Sequence, residues 1–254
     1  TAMIVARHPN MDDSVLFFPP IGSNPVSLIE FALVDPALPV GEKKLARLGP
    51  EDQYLSALLE QRGSGKIEVE EVLDWKFPVH ILDAANVINS KGQNFRDFRK
   101  NIHRAFGRGL WSESIDSQDD IARVLEISKS WAMHHVSDNY SIEDLIGPTK
   151  YALSLFDNPN LSINGLIINE GNEAVGYIMW EETNPSKGFA NSISGMSIRP
   201  RGTEEFAILE MCKKLKEAGF NKVCIGGSET EGLDNFKRKM CPAASVGLYT
   251  MSLN

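Results

Sequence analysis

Apolar positions change their period along the chain, and the changes mark out its elements. Leu161–Asn169 and Ala174–Glu181 are β-rich runs on either side of Glu170-Gly171-Asn172-Glu173, a pattern that predicts a hairpin. Further strands are expected at Ser192–Ile198, Lys222–Ile225 and Val246–Met251, and Gly226-Gly227 opens a loop after the second of these. Helical spacing fills the gaps. Ile121, Val124, Leu125, Ser128, Trp131 and Ala132 recur with a helical period behind Ser117, which can cap a helix while Asp120 returns the contact. Ser141 and Asp144 repeat that box before a short helix that Gly147-Pro148 interrupts or kinks, and Leu153–Phe156 continues its apolar face. Ile208, Met211, Cys212 and Leu215 make Phe206–Ala218 an amphipathic helix stopped by Gly219, and Leu233–Lys239 reads as a short helix.

The first half is less regular. Phe95, Phe98, Ile102 and Phe106 form one apolar face of a helix over Asn86–Phe106, interrupted near Lys91-Gly92. Glu42–Gln61 reads as helix split at Gly49-Pro50, with Gly63 and Gly65 after it, and strands are expected at Ile67–Glu71 and Val79–Leu82. Residues 14–40 are strand-like but cut by Pro19, Pro20, Pro25, Pro36 and Pro39, so Val15–Phe18 and Ser27–Val34 are expected as edge strands. Gly107-Arg108-Gly109 ends the helical stretch, and the domain boundary is expected there, giving units 1–109 and 110–254. The second unit reads helix, helix, hairpin, strand, loop, helix, strand, helix, strand, which is an α/β order.

Composition narrows the partners. With 254 residues and 42% hydrophobic positions the chain can bury a sizeable core. A formal charge of −8 does not draw it as a whole toward nucleic acid or an anionic membrane, so an RNA partner needs a local basic patch. Arg96, Arg99, Lys100 and Arg104, with His103, offer such a stripe, able to track an RNA backbone or simply to solvate a helix. Cys212, Cys224 and Cys241, an odd set with no CxxC spacing, fit a reducing compartment, and a cytoplasmic location is expected. No apolar run approaches the roughly 20 residues of a membrane span, and Thr1–Asn10 lacks the apolar region of a secretory signal. His134-His135 with Asp138 comes nearest to a metal set, but adjacent histidines point apart on a helix and no cluster completes it, so no metal is expected. Tyr140 and Tyr177 have the chemistry to protonate a leaving group, although half-buried tyrosines usually pack, and Trp75, Trp131 and Trp180 read as core or cleft walls.

The segment Arg199-Pro200-Arg201-Gly202-Thr203-Glu204-Glu205 joins an expected strand to an expected helix. The free N–H groups and dipole of a helix N-terminus receive anions. Gly202 would let backbone approach a ligand closely. Arg199 and Arg201 can grip a phosphate or carboxylate bidentately, or form a surface pair near a turn. Here the chain resembles the GCN5-related N-acyltransferase (GNAT) superfamily, in which a strand, an Arg/Gln-x-x-Gly-x-Gly/Ala loop and a helix hold the pyrophosphate of coenzyme A. Arg199-x-x-Gly202 matches, but Glu204 replaces the final small residue and Glu205 stands beside it. Two carboxylates there suit the helix and repel a pyrophosphate.

A narrower resemblance rests on Gly226-Gly227-Ser228-Glu229-Thr230-Glu231-Gly232-Leu233-Asp234-Asn235-Phe236-Lys237 and on Gly92 to Phe106 with Phe98-Arg99-Lys100-Asn101. Both are similar to the phosphatidylglycerol lysyltransferase C-terminal domain and its Fem peptidyltransferase relatives, over about half the chain. The resemblance implies two GNAT-like units, each a mixed central sheet flanked by helices and the first degenerate. It implies no permanently bound cofactor, and transfer of an aminoacyl group from aminoacyl-tRNA to an amine or hydroxyl, here of a small soluble acceptor. Lys237, at the family's Phe-Lys position, would stabilise the tetrahedral oxyanion or bind the terminal phosphates of tRNA; otherwise it is a solvated lysine beside Arg238 and Lys239. Glu229 would act as a base or bind an amino group, or is a plain turn residue. Arg199, Arg201, Gly202, Thr203 and Ser228 would hold the donor's phosphate, and the basic stripe would meet its RNA. Two other readings stay open. One is an acyl-CoA N-acyltransferase with an unusual phosphate loop, favoured if Glu204 and Glu205 point to solvent and disfavoured if they face the cleft. The other is an inactive GNAT-like binding module, with no open channel between splayed central strands.

Overall fold

Contacts sort the chain into two units. The computed structural model describes residues 2–8, 11–38, 41–68, 77–136, 141–156, 158–199 and 201–253. One unit holds Thr1–Val79, Gly227–Asp234 and Ser245–Asn254; the other holds His80–Gly226 and Asn235–Ala244.

The first unit begins with β1 (Val5–His8), β2 (Met11–Phe17), α1 (Pro25–Leu33), β3 (Lys43–Leu48), α2 (Gln53–Gln61) and β4 (Gly65–Glu68). Two segments depart from the expected pattern. Ser27–Val34 is helical, because Pro25 occupies the first turn, where its missing N–H costs nothing, and Val26, Ile29 and Ala32 fall on one buried side. Lys43–Leu48 is a strand: it pairs parallel with β2, and its sheet contacts outweigh the helical propensity of its lysines and leucines. The expected strand Ile67–Glu71 is described as far as Glu68; its remainder, like Trp75 and Pro39, lies outside the described residues. Phe17, Ile29, Leu45, Leu48 and Leu59 are fully buried in this unit's core.

The second unit carries nearly all of β5 (Val79–Asp83) and then α3 (Ala84–Asn89), α4 (Arg96–Gly107), β6 (Leu110–Ser114), α5 (Gln118–Met133), α6 (Ile142–Ser154), β7 (Ile163–Glu170), β8 (Glu173–Asn184), β9 (Phe189–Ser197), α7 (Thr203–Glu217) and β10 (Lys222–Cys224), while α8 (Glu231–Arg238) is divided between the units after Asp234 and β11 (Ala244–Val246) after Ala244. The chain then returns to the first unit as β12 (Tyr249–Leu253), which pairs antiparallel with β3 and β4. Both capping boxes form as the sequence predicts, at Ser117 with Asp120 and at Ser141 with Asp144. α6 runs on through Pro148 without interruption. The expected last strand is two, β11 and β12, and β6 is a strand that its mixed Leu-Trp-Ser-Glu-Ser sequence does not announce.

The second unit's sheet has the order β11-β5-β10-β9-β8-β7-β6. It is mixed: β9 and β10 are parallel, while β5–β10, β8–β9, β7–β8 and β6–β7 are antiparallel. Strand alternation supplies both faces. Leu166, Ile168, Ile178 and Trp180 join a core with residues of α3, α4 and α7, while Ile167, Tyr177 and Met179 pack with residues of α5 and α6. The boundary expected at 109/110 therefore does not divide the structure. Val87, Phe98, Ile102 and Ala105, all before it, share a core with Leu209 and Met211 beyond it.

One polar cluster lies inside the α5/α6 face. The Tyr177 hydroxyl is within 2.7 Å of Thr149 Oγ1, 3.0 Å of Ser194 Oγ and 3.2 Å of Ser128 Oγ. Tyr177 is nearly sealed from solvent, so it contributes here by pinning β8 to α5, α6 and β9 rather than by touching a substrate. Tyr177→Phe removes the hydroxyl that Thr149, Ser194 and Ser128 share, leaving the buried Thr149 and Ser128 only each other at 3.2 Å, and is expected to cost about 1–3 kcal/mol in urea unfolding.

Candidate functional site

The site is built where two parallel strands part. β9 and β10 pair only over Phe189–Asn191 and Lys222–Cys224. After Cys224 the chain follows β5 instead: Ile225 N–H donates to the His80 carbonyl at 2.9 Å and His80 N–H to the Gly226 carbonyl at 3.2 Å. Ser192–Ser197 of β9 thus has β8 as its one strand partner among the described residues, and its other edge is unpaired. Just past the parting, Met179 pairs with Ser194 and Trp180 with Ser192, leaving Ile193 as a bulge. Such a bulge re-aims backbone groups at the point where the edge opens.

The loop after β9 does not have the form expected of an anion cradle. Gly202 sits at φ +101°, and a Cβ there would lie 2.5 Å from the Asn101 carbonyl oxygen. Its smallness admits the backbone of α4, not a ligand. Its N–H donates to Glu205 Oε2 at 3.1 Å, and Asn101 Nδ2 donates to Glu205 Oε1 at 2.6 Å. Arg104 holds Asn101 in turn, through its side-chain oxygen at 3.0 Å. Glu205 therefore faces neither the opening nor solvent; it is buried against α4 as the loop's own anion. Thr203 is fully buried. Arg199 pairs with Glu173 at 2.9 Å with both partners exposed, and Arg201, in a left-handed conformation at φ +63°, is exposed. Pro200 lies outside the described residues. Arg108 anchors the loop's far side, forking onto Glu170 at 2.8 and 2.9 Å and reaching the Arg201 carbonyl at 3.3 Å.

Glu204 behaves differently from its neighbour. Its Oε1 lies 3.3 Å from Ser197 Oγ, whose single hydrogen also has the Arg199 carbonyl within 3.2 Å. Its Oε2 has no hydrogen-bond partner among the described residues. The Glu204 side chain is exposed to solvent, unlike that of Glu205, although neighbouring protein atoms still crowd its carboxyl. That crowding, with repulsion from Glu205, raises it above its ordinary value, while Ser197, Lys239 and His135 pull the other way. Lys239 follows α8 and His135 follows α5, so groups from three elements converge on it.

Lys237 is half-buried on α8 and close enough to the Cys224 thiol, at the end of β10, to favour its ionisation. Burial is the larger influence there and pushes that thiol up. The lysine is therefore placed where β10 stops. Ser228 and Glu229 belong to the other unit. Ser228 is fully buried and bridges to Phe77, whereas Glu229 is exposed. Of the basic stripe, Arg96 and Lys100 are exposed, Arg104 is tied to Asn101, and Arg99 closes the end of α3 by donating to the Ser90 and Gly92 carbonyls. His134 and His135 bond back to the Ser130 and Trp131 carbonyls, and Trp131 stacks on His135 at 4.1 Å. Asp138 and Tyr140 lie outside the described residues. Glu204 and Asn101 were not among the expected site residues. Glu204 was visible only as a departure from the GNAT loop pattern, and nothing in the local sequence signals Asn101 as the partner of Glu205, 104 residues away.

Two stability measurements test this account. Gly202→Ala must overcome both the contact with Asn101 and the left-handed backbone, and is expected to lose about 2 kcal/mol or more in urea unfolding; a glycine kept only for a ligand would lose little. Glu204→Gln should do the reverse at neutral pH. A carboxyl raised in the folded chain destabilises it above its folded pKa, and the penalty disappears below about 4.5, where folded and unfolded forms are both protonated. The variant's Tm should exceed that of the parent at pH 7, and the gain should fade as pH falls toward 4.5.

Comparison with known proteins places this geometry. Residues 80–244, well over half the chain, match the family described as phosphatidylglycerol lysyltransferase, C-terminal. No curated protein matches the chain. Among solved structures, L-PGS from Bacillus licheniformis aligns with a TM-score of 0.69 at 13% identity, covering 99% of this chain and 80% of that one. FemX aligns at 0.67 and 12%, covering 98% and 83%. A GCN5-related N-acetyltransferase from Kribbella flavida aligns at 0.50 and 12%, covering 94% and 80%. At such identities the likeness is one of fold: α/β, with GNAT-like mixed sheets flanked by helices. Among the described residues no helix is long and apolar enough to cross a membrane. The family match begins at β5, so it takes in α3, α4, the parted strands and α8, and by it the chain belongs to the phosphatidylglycerol lysyltransferase C-terminal family.

Proposed function

We propose that this protein transfers an aminoacyl group from aminoacyl-tRNA to the amine or hydroxyl of a small soluble acceptor, in the cytoplasm and with no permanently bound cofactor. The observation that carries the choice of donor is the hydrogen bond from Gly202 N–H to Glu205. A pyrophosphate at the start of α7 would have to displace a carboxylate that Asn101 also holds, and would then meet Glu204. An aminoacyl ester makes no such demand, because its phosphates lie further along the RNA.

The chemistry asked of the protein is modest. The acceptor nitrogen or oxygen attacks the ester carbonyl, a tetrahedral oxyanion forms, the C–O bond to the terminal ribose breaks, and the acceptor's proton is lost as the ribose oxygen gains one. The ester is already activated, so orientation and oxyanion stabilisation carry most of the rate. Lys237, beside the end of β10, is assigned to the oxyanion or to the terminal phosphate. Glu229 is assigned to the acceptor's proton or amino group. Arg201 is the exposed cation of the phosphate set, and Arg199 can leave its solvent-exposed pair with Glu173 at small cost. Arg96 and Lys100 would meet RNA. The first unit, whose described residues include a mixed five-stranded sheet with α1 and α2, is read as the degenerate GNAT-like half.

Acyl-CoA is the second reading, favoured by the unpaired edge of β9, which offers backbone groups to an extended ligand. The same open edge counts against an inactive module. Binding measured with coenzyme A and with charged and uncharged tRNA at two salt concentrations decides between them. Salt-sensitive tRNA binding without coenzyme A binding is expected; micromolar coenzyme A binding without tRNA binding would transfer the assignment to acyl-CoA. Lys237→Ala is expected to reduce transfer by about 10²-fold or more with unfolding unchanged, and full activity would remove its role.

A further inference from the structure

We infer that the cavity between the start of β7 and the last turns of α7 binds a small primary ammonium that also carries an apolar group and a carbonyl oxygen. The cavity lies apart from the opening where β9 and β10 part, and the inference does not depend on which donor the protein uses. β8 spans the two places: Gly176 pairs with Ser197 beside the opening, whereas Trp180 and Glu182 line the cavity.

The cavity holds about 550 Å³, within the range of small-molecule sites, and all of its lining belongs to the second unit. Ile115, Phe156, Ile163, Leu166 and Trp180 make its apolar wall. Trp180 is 3% exposed, and its indole N–H, the one donor of that side chain, has no acceptor among the described residues. Asn164 stands opposite it on β7 but directs its side-chain amide to Glu182 instead, at 3.2 Å. A buried indole N–H is ordinarily hydrogen-bonded. This one belongs to the wall of a cavity with room for an acceptor.

The rim sets the charge of the occupant. Asp116, Glu182 and Glu217 share the lining with a single cation, Lys214, and none of the four forms an ion pair among the described residues. Glu182 accepts from neutral groups, Ser162 Oγ at 3.0 Å and the Asn164 amide, so its charge is not cancelled. α7 also ends here, and the negative end of its dipole adds to the carboxylates. An anion is repelled by this rim. A water molecule would meet the indole N–H but leave the apolar wall uncovered. An ammonium at the rim, a carbonyl oxygen on the indole N–H and an apolar group against the wall satisfy all three features at once.

Phenylalaninamide carries these three groups and is the probe, with N-acetylphenylalaninamide as its uncharged counterpart. The four indole N–H resonances of the full chain are followed by heteronuclear NMR as each probe is added. That of Trp180 is assigned by its absence from Trp180→Phe or, should that variant fail to fold, by elimination with Trp75→Phe, Trp111→Phe and Trp131→Phe. The Trp180 resonance is expected to move downfield and saturate with phenylalaninamide, and the acetylated probe to bind about tenfold more weakly, the effect of losing one charge-assisted contact. Asp116→Asn combined with Glu217→Gln, both exposed positions, should weaken phenylalaninamide about tenfold as well. A Trp180 resonance that does not move, or moves without saturating, would overturn the site. Equal binding of the two probes would overturn the ammonium assignment, and so would unchanged affinity in the double variant.

Discussion

A buried carboxylate on the first turn of α7 fixes how the open end of the sheet is arranged. Glu205 accepts from Gly202 N–H and from Asn101 Nδ2, so a single side chain ties the loop after β9 to α4. The tie needs Gly202 to be glycine, because the Asn101 carbonyl occupies the space a Cβ would fill. It also satisfies an N–H that a ligand would otherwise take, which makes the helix start self-contained as an anion site. Its neighbour in sequence is turned outward by about 100° around the helix axis, toward Ser197 and the parted strands.

The second constraint is the preference of the chain after Cys224 for β5 over β9. Hydrogen bonds with His80 carry Ile225 and Gly226 away from β9, and the bulge at Ile193 lies just beyond the parting. These are backbone hydrogen bonds, so they do not depend on the identity of particular side chains. What differs between chemistries on such a frame is the set of side chains placed around the opening. In this chain Lys237 lies beside the end of β10, and Glu204 stands on the first turn of α7.

Legibility in the sequence followed the range of the interactions. The hairpin at Gly171-Asn172, the two Ser–Asp capping boxes, the Gly219 stop and the break near Gly92 are all local devices, and each is where its residues predict. The resemblance carried by Gly226–Lys237 led to the family. The failures are non-local. Lys43–Leu48 is helical by propensity and a strand by virtue of β2 and β12. The boundary at Gly109 looked natural because a helix ends there, but α4 packs on α7, more than 90 residues later. Ser27–Val34 is the exception, a local error: proline was read as breaking a strand when it was starting a helix. At the site, Arg199-x-x-Gly202 was recognised as a pattern, but its meaning depended on partners far along the chain: Asn101 beneath Gly202 and Glu173 across from Arg199.

Glu204 then raises a question that folding alone does not answer. Packing pushes its carboxyl toward the neutral form, so the ionised side chain works against the fold at neutral pH. Glutamate is not needed there for the helix, because Glu205 already completes the capping box. Nor does it order the loop, since its Ser197 contact is long and shared. Two adjacent glutamates thus play different parts, one buried as the loop's own anion and one exposed, favoured by the helix dipole and opposed by its neighbour's charge.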